Sequence, residues 1–104
     1  MKMKKSKTFN ERCYEVLRKV PKGRVTTYKE IAKALKTKAY RAVGNAMNKN
    51  PYAPEVPCHR VVSSDGGIGG FASGIDNKIQ ILKREGVGVK DGRVVGFEKV
   101  VFRF

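Results

Sequence analysis

Tryptophan is absent from this 104-residue chain, histidine occurs once and cysteine twice. One imidazole and two thiols are too few for a structural zinc site unless carboxylates complete it, so no metal is expected. Cys13 and Cys58 lie far apart in the sequence, and no disulfide framework is expected of them. No run approaches the ~20 apolar residues of a membrane-spanning helix. Four lysines crowd the first seven residues with no apolar run behind them. That start reads as a disordered basic tail, residues 1–7, rather than a signal peptide. A reducing, cytoplasmic setting follows as the expectation. Acidic residues are scarce too: 9 Asp+Glu stand against 23 Lys+Arg, a formal charge of +14. So large an excess calls for a polyanionic partner, nucleic acid first. The alternative is a lysine-rich solvated surface.

What is present suffices for one domain, placed at residues 8–104, with 40% hydrophobic residues to build a modest core. "TFNE" at Thr8 to Glu11 is a capping box, and Phe9, Cys13, Val16, Leu17 and Val20 recur behind it at helical spacing. Cys13 thereby reads as core filler. "PKGR" stops that helix. A second box, "TYKE" at Thr27 to Glu30, opens a short helix with Tyr28, Ile31, Ala32 and Leu35 on one face. "AYRAVGNAMNKN" reads as a third helix with Ala42, Val43, Ala46 and Met47 inward, ended by Asn50-Pro51. Two short helices with a tight link predict a helix-turn-helix. Residues 51–74 are irregular, with one strand candidate at Val61-Val62. A helix from about Asp76 to Glu85 is expected to turn Ile75, Ile79 and Leu82 inward. Lys83 and Arg84 favour its C-terminal end, and Gly86 stops it. The remaining tail reads as strands with a hairpin turn at Asp91-Gly92. The predicted class is mainly α with a small β-hairpin, a winged helix-turn-helix.

The chemistry concentrates in "PEVPCHRVVSSDGG", Pro54 to Gly67. A long loop without regular structure is uncommon in a compact domain unless it has a function. Pro54 and Pro57 stiffen the backbone just before the only histidine and one of the two cysteines. A thiol attacks as thiolate, so a nearby base matters. Neighbours in an extended segment point to opposite sides, so His59 would reach Cys58 through a water, or the loop would turn sharply there. Against this stands the ordinary reading of a lone surface histidine. The following "DGGIGGFASG" frees backbone amides and lets a flat group approach closely, or else is a plain flexible loop.

"PCHRVV", preceded by "YRAVGNAMNKNP" and followed by "GGFASGIDNKIQILKREG", resembles the C-terminal domain of the O6-alkylguanine-DNA alkyltransferases over about residues 9–88. The resemblance implies one-step repair: the alkylated guanine flips out of the duplex and a cysteine takes the alkyl group permanently. It assigns Cys58 as acceptor, His59 as the base acting through a water, and Glu85 as the group that orients His59. Tyr28 would donate a proton to the departing guanine, and Asn50 would brace the active-site turn. The carbonyls of Cys58 and Val61 would meet the guanine amino group and the Ala72 amide its O6 side, with Phe71 and Met47 lining the pocket. Arg41 would fill the vacated stack, and Tyr40, Gly44, Asn45 and Thr27 would be further DNA contacts. The implied partner is double-stranded DNA carrying O6-alkylguanine, bound through the minor groove by a monomer, with no cofactor.

Three departures bear on this. The family commonly carries an additional N-terminal domain, which these 104 residues do not show. Phe71 stands where tyrosine is frequent. Tyr40 and Asn45 are bulkier than the small residues often found on the DNA-facing helix. A sister group, the alkyltransferase-like proteins, binds lesions without repairing them, typically with tryptophan in place of the cysteine. Here the cysteine stands, which favours repair over lesion sensing. A winged-helix regulator would have no need of the Cys-His loop, and a thiol hydrolase would need oxyanion donors that the chain does not advertise.

Overall fold

The computed structural model describes residues 8–53, 55–69 and 74–104. Helix α1 (Phe9–Leu17) starts on the expected capping box: Thr8 Oγ1 accepts from the Glu11 amide at 3.1 Å, and the Thr8 amide donates to Glu11 Oε1 at 2.9 Å. Its inward face carries Cys13, Tyr14 and Leu17. The Tyr14 hydroxyl donates to the Ala46 carbonyl at 2.8 Å, which fastens α1 to α3 (Tyr40–Asn48). Helix α2 (Tyr28–Ala34) has only half of the second box. Thr27 Oγ1 accepts from the Glu30 amide at 3.0 Å, while the Glu30 carboxylate pairs with Lys33 and Arg103. Residues 35–39 link α2 to α3, and this pair is the helix-turn-helix.

The β-branched stretches Thr26–Thr27 (β1) and Val61–Val62 (β2) pair in parallel, Thr26 beside Val61 and Thr27 beside Val62. The pairing sets the start of α2, and so Tyr28, directly against the strand that follows Cys58. Helix α4 (Ile75–Arg84) comes next and ends at Gly86, whose φ of 93° suits glycine. Then β3 (Val89–Lys90) and β4 (Arg93–Val94) form the expected hairpin. Asp91 and Gly92 both take positive φ, 52° and 74°, as a two-residue hairpin turn of matching twist requires.

Two clusters make the core. One gathers Cys13, Leu17, Val20, Ile31, Val43, Met47, Val56, Cys58 and Val61, the other Val25, Val62, Ile68, Leu82, Val87 and Val94. The fold is mainly helical with small sheets, as the sequence indicates. Its details depart in three places. The tail is not all strand: α5 (Phe97–Val100) follows the hairpin, and Val101 then pairs with Val25. Ile75 does not turn inward but is 51% exposed. Between it and Leu82, Lys78 is fully buried instead. No helix among the described residues is long and apolar enough to cross a membrane.

Candidate active site

Cys58, His59 and Arg60 form a single 3-10 turn that opens after Pro57 and runs into β2. The loop is therefore sharply turned at the pair rather than extended. The Cys58 amide donates to the Val56 carbonyl at 2.8 Å, and the Asn50 side-chain amide donates to that same carbonyl at 2.8 Å. The Tyr52 amide closes onto Asn50 Oδ1 at 2.9 Å. One side chain thus ties the end of α3 to the approach to Cys58.

Cys58 is 8% exposed and packs in the first cluster with Met47 and Val61, with Tyr28 against it. His59 is 3% exposed, and its Nε2 lies 3.0 Å from Glu85 Oε2. An ionised carboxylate only accepts, so Nε2 carries the hydrogen and Nδ1 the lone pair. No hydrogen bond joins Cys58 and His59 themselves among the described residues. Arg60 holds the same carboxylate in a fork, Nε to Oε1 at 2.9 Å and Nη2 to Oε2 at 2.7 Å, and anchors to the Val20 carbonyl at 2.9 Å. Behind this group lies a cavity of about 530 Å3 bounded by Lys22, His59, Arg60, Ile81, Arg84 and Glu85.

The electrostatics follow from the geometry. Burial pushes the His59 pKa down, against the opposing pull of the Glu85 hydrogen bond and charge, leaving a neutral imidazole able to accept a proton. Burial pushes Glu85 up, but the hydrogen bonds and charges of Arg60 and His59 outweigh it and hold the carboxyl below its ordinary range. Burial raises the Tyr28 hydroxyl, and a charge on Cys58 raises it further, so the phenol keeps its proton. Lys78 is the residue that sequence reasoning missed. Its ammonium donates to the Val61 and Ile68 carbonyls, each at 2.6 Å. Burial pushes it down to about 8, and a negative charge on Cys58 would oppose that shift. The signal was available: position 78 falls on the same helical stripe as 75, 79 and 82. Arg60 was likewise passed over.

The Val61 carbonyl accepts from Lys78, and the Cys58 carbonyl accepts from the Val61 amide. Arg41, Tyr40 and Asn45 stand exposed at the start and outer face of α3. Among the described residues the Arg41 side chain has no partner. A Cβ built at Gly44 would meet nothing within 4 Å, so packing inside the chain does not demand glycine there. Thr27 is 3% exposed and its hydroxyl caps α2. Phe71 and Ala72 lie outside the described residues, as do residues 1–7. Among the described residues, no cluster of three or more His, Cys, Asp or Glu could hold a metal ion.

The site is thus a helix-turn-helix domain built around a cysteine, with a buried thiol, a neutral imidazole and a carboxylate bonded to it. The family model described as 6-O-methylguanine DNA methyltransferase, DNA binding domain, matches residues 8–87, and the chain belongs to that family. A methylated-DNA–protein-cysteine methyltransferase of Methanosarcina barkeri is 50% identical over 78 residues, 74% of this chain and 49% of that protein. The crystal structure of the O6-methylguanine-DNA methyltransferase from Pyrococcus kodakaraensis superimposes with a TM-score of 0.72 at 51% identity, covering 78% of this chain and 47% of that one. The S. pombe Atl1 structure, in complex with damaged DNA containing O6-carboxymethylguanine, gives a TM-score of 0.79 at 28% identity, covering 92% of this chain and 95% of that one. The chain spans about half the length of the curated relatives it matches.

Proposed function

We propose that this protein repairs O6-alkylguanine in double-stranded DNA by moving the alkyl group to Cys58, once per molecule. The observation that carries the reading is the His59–Glu85 pair at 3.0 Å placed immediately after a buried thiol. In this reaction a water passes the Cys58 proton toward the Nδ1 lone pair of His59. The sulfur attacks the alkyl carbon, the S–C bond forms and the C–O6 bond breaks. The electron pair of that bond goes to the guanine, which takes a proton from the Tyr28 hydroxyl. His59 returns the sulfur's proton to the Tyr28 phenolate, so charge and atoms balance with no cofactor. Asn50 holds the turn, Lys78 holds the Val61 carbonyl and lends a positive charge to the thiolate, and Met47 bounds the pocket with Phe71. The Cys58 and Val61 carbonyls take the guanine amino group, and the Ala72 amide serves the O6 side.

The +14 charge supplies the attraction to DNA. Helix α3 enters the minor groove with Gly44 at closest approach, Tyr40 and Asn45 beside it, and Arg41 in the gap left by the flipped base. The protein acts as a cytoplasmic, DNA-associated monomer.

The test is stoichiometry. Loss of O6-methylguanine from an oligonucleotide in excess should plateau at one lesion per protein molecule. A second reading, a lesion-binding sensor, is favoured by the near-complete coverage of Atl1. It predicts tight lesion binding with no loss of O6-methylguanine.

A further inference from the structure

A cavity of about 400 Å3 opens beside the helix-turn-helix, lined by Tyr28, Lys29, Tyr40, Ser63 and Ser64. That volume falls within the ~300–1,000 Å3 of small-molecule sites. Two phenols, an ammonium and two hydroxyls converge on it. Among the described residues none of these five polar ends has a hydrogen-bond or ion-pair partner in the chain. Around Cys58 the reverse holds, where His59, Arg60 and Glu85 are all engaged. Tyr40 is 44% exposed, a large flat ring left open to solvent directly before Arg41.

The geometry points to a second nucleotide subsite in this cavity, holding the unpaired nucleotide next in the strand to the reacting base, with its base stacked on Tyr40 and its phosphate on Lys29. This rests on the repair reading above, in which Tyr40 already faces the DNA, and gives that ring a specific occupant. Each lining group argues for a whole nucleotide. A bare phosphate would use Lys29 and leave the Tyr40 ring idle. A free base would use the ring and leave the ammonium idle. An acidic peptide brings no flat group to the ring. Base–aromatic stacking tolerates any base, and the Ser63 and Ser64 hydroxyls can each donate or accept, so they accommodate different base edges. The strand neighbour is the occupant because Tyr28 serves both places: it lines this cavity and also packs against the Cys58 cluster.

The experiment is a fluorescence titration of the full chain with oligonucleotides carrying O6-methylguanine and 2-aminopurine on one side or the other of it. Stacking on Tyr40 should quench the 2-aminopurine at one of the two positions. Tyr40→Ala should abolish that quenching and weaken binding about tenfold. Tyr40→Phe should retain both, because the ring is what stacks. Lys29→Ala should weaken binding yet keep the quenching at saturation. Quenching that is the same in Tyr40→Ala and wild type overturns the subsite, as does its absence at both positions in wild type. The two readings fail separately. Tyr40-dependent quenching without any methyl transfer rejects the repair reading and leaves the subsite standing. Transfer with Tyr40-independent fluorescence does the opposite.

Discussion

Cys13 and Cys58 sit in the same hydrophobic cluster, on α1 and on the 3-10 turn. Around Cys13 there is little but apolar side chains. The thiol is fully buried, and burial pushes its pKa up to about 11, only weakly opposed by Arg12. Such a sulfur stays protonated and unreactive. Cys58 lies at the edge of the cluster, where an imidazole, the carboxylate bonded to it, a phenol and a buried ammonium are all brought near. Burial alone therefore does not distinguish the structural thiol from the one proposed to react. The difference is the polar surroundings, and those come from sequence positions as far apart as Tyr28, Asn50, Lys78 and Glu85.

The comparison breaks first at the imidazole. His59→Ala should slow methyl transfer by about 10²–10⁴-fold and weaken DNA binding far less. Because burial holds the His59 pKa below its ordinary 6.5, the wild-type rate should fall only as pH drops below about 6.5 and the base is protonated. The variant's residual rate should lack that acidic limb; single-turnover rates against pH measure both. If the pH profile is unchanged, the relay is wrong.

Next in size is the separation of lesion capture from lesion chemistry. Arg41→Ala should slow repair in duplex DNA by about tenfold or more, since filling the vacated stack recovers part of the few kcal/mol that flipping costs. Reaction with free O6-benzylguanine should change much less. Equal slowing of both would make Arg41 a support of the fold or pocket.

Lys78 sharpens the contrast through stability. Its folded pKa near 8 is below the ordinary 10.5, so the folded chain releases this proton first as pH rises. The residue's contribution therefore grows between about pH 8 and 10.5, by up to roughly 3 kcal/mol. Cys13 runs the other way: its folded pKa near 11 is above the ordinary 9.0, so its contribution is lost as pH climbs through that interval. Denaturant unfolding of wild type and Lys78→Met across this range isolates the lysine. Wild-type stability relative to the variant should rise with pH across this range; a constant difference would mean that Lys78 is not a buried ammonium.

The smallest effect is at Gly44. A Cβ there meets open space, so Gly44→Ala should raise stability by about 0.5–1 kcal/mol in thermal unfolding. The same change should weaken duplex binding, because the methyl group intrudes where the groove approaches. Gain in both would place the groove elsewhere.

Much of this architecture was legible locally. The capping box at Thr8, the Asn50-Pro51 stop and the Asp91-Gly92 turn each act through neighbouring residues, and each lies where the sequence indicates. The helix of residues 97–100 and the β1–β2 pairing were not legible, because they depend on contacts distant in sequence. At the site, the pairing of His59 with Glu85 was expected only through the family resemblance. The sharp turn at Cys58 was one of two conformations left open. Lys78 went unread because a lysine on an apolar stripe is ordinarily taken as solvent-facing, whereas here two backbone carbonyls compensate its burial.

The most direct measurement of the central claim is peptide-resolved mass spectrometry of the full chain after reaction with excess O6-methylguanine duplex. The account predicts one added methyl group per molecule, carried by the peptide containing Cys58, with Cys13 unmodified and no addition in Cys58→Ser. A methyl group on Cys13 with Cys58 untouched, or lesion loss continuing past one equivalent, would contradict it.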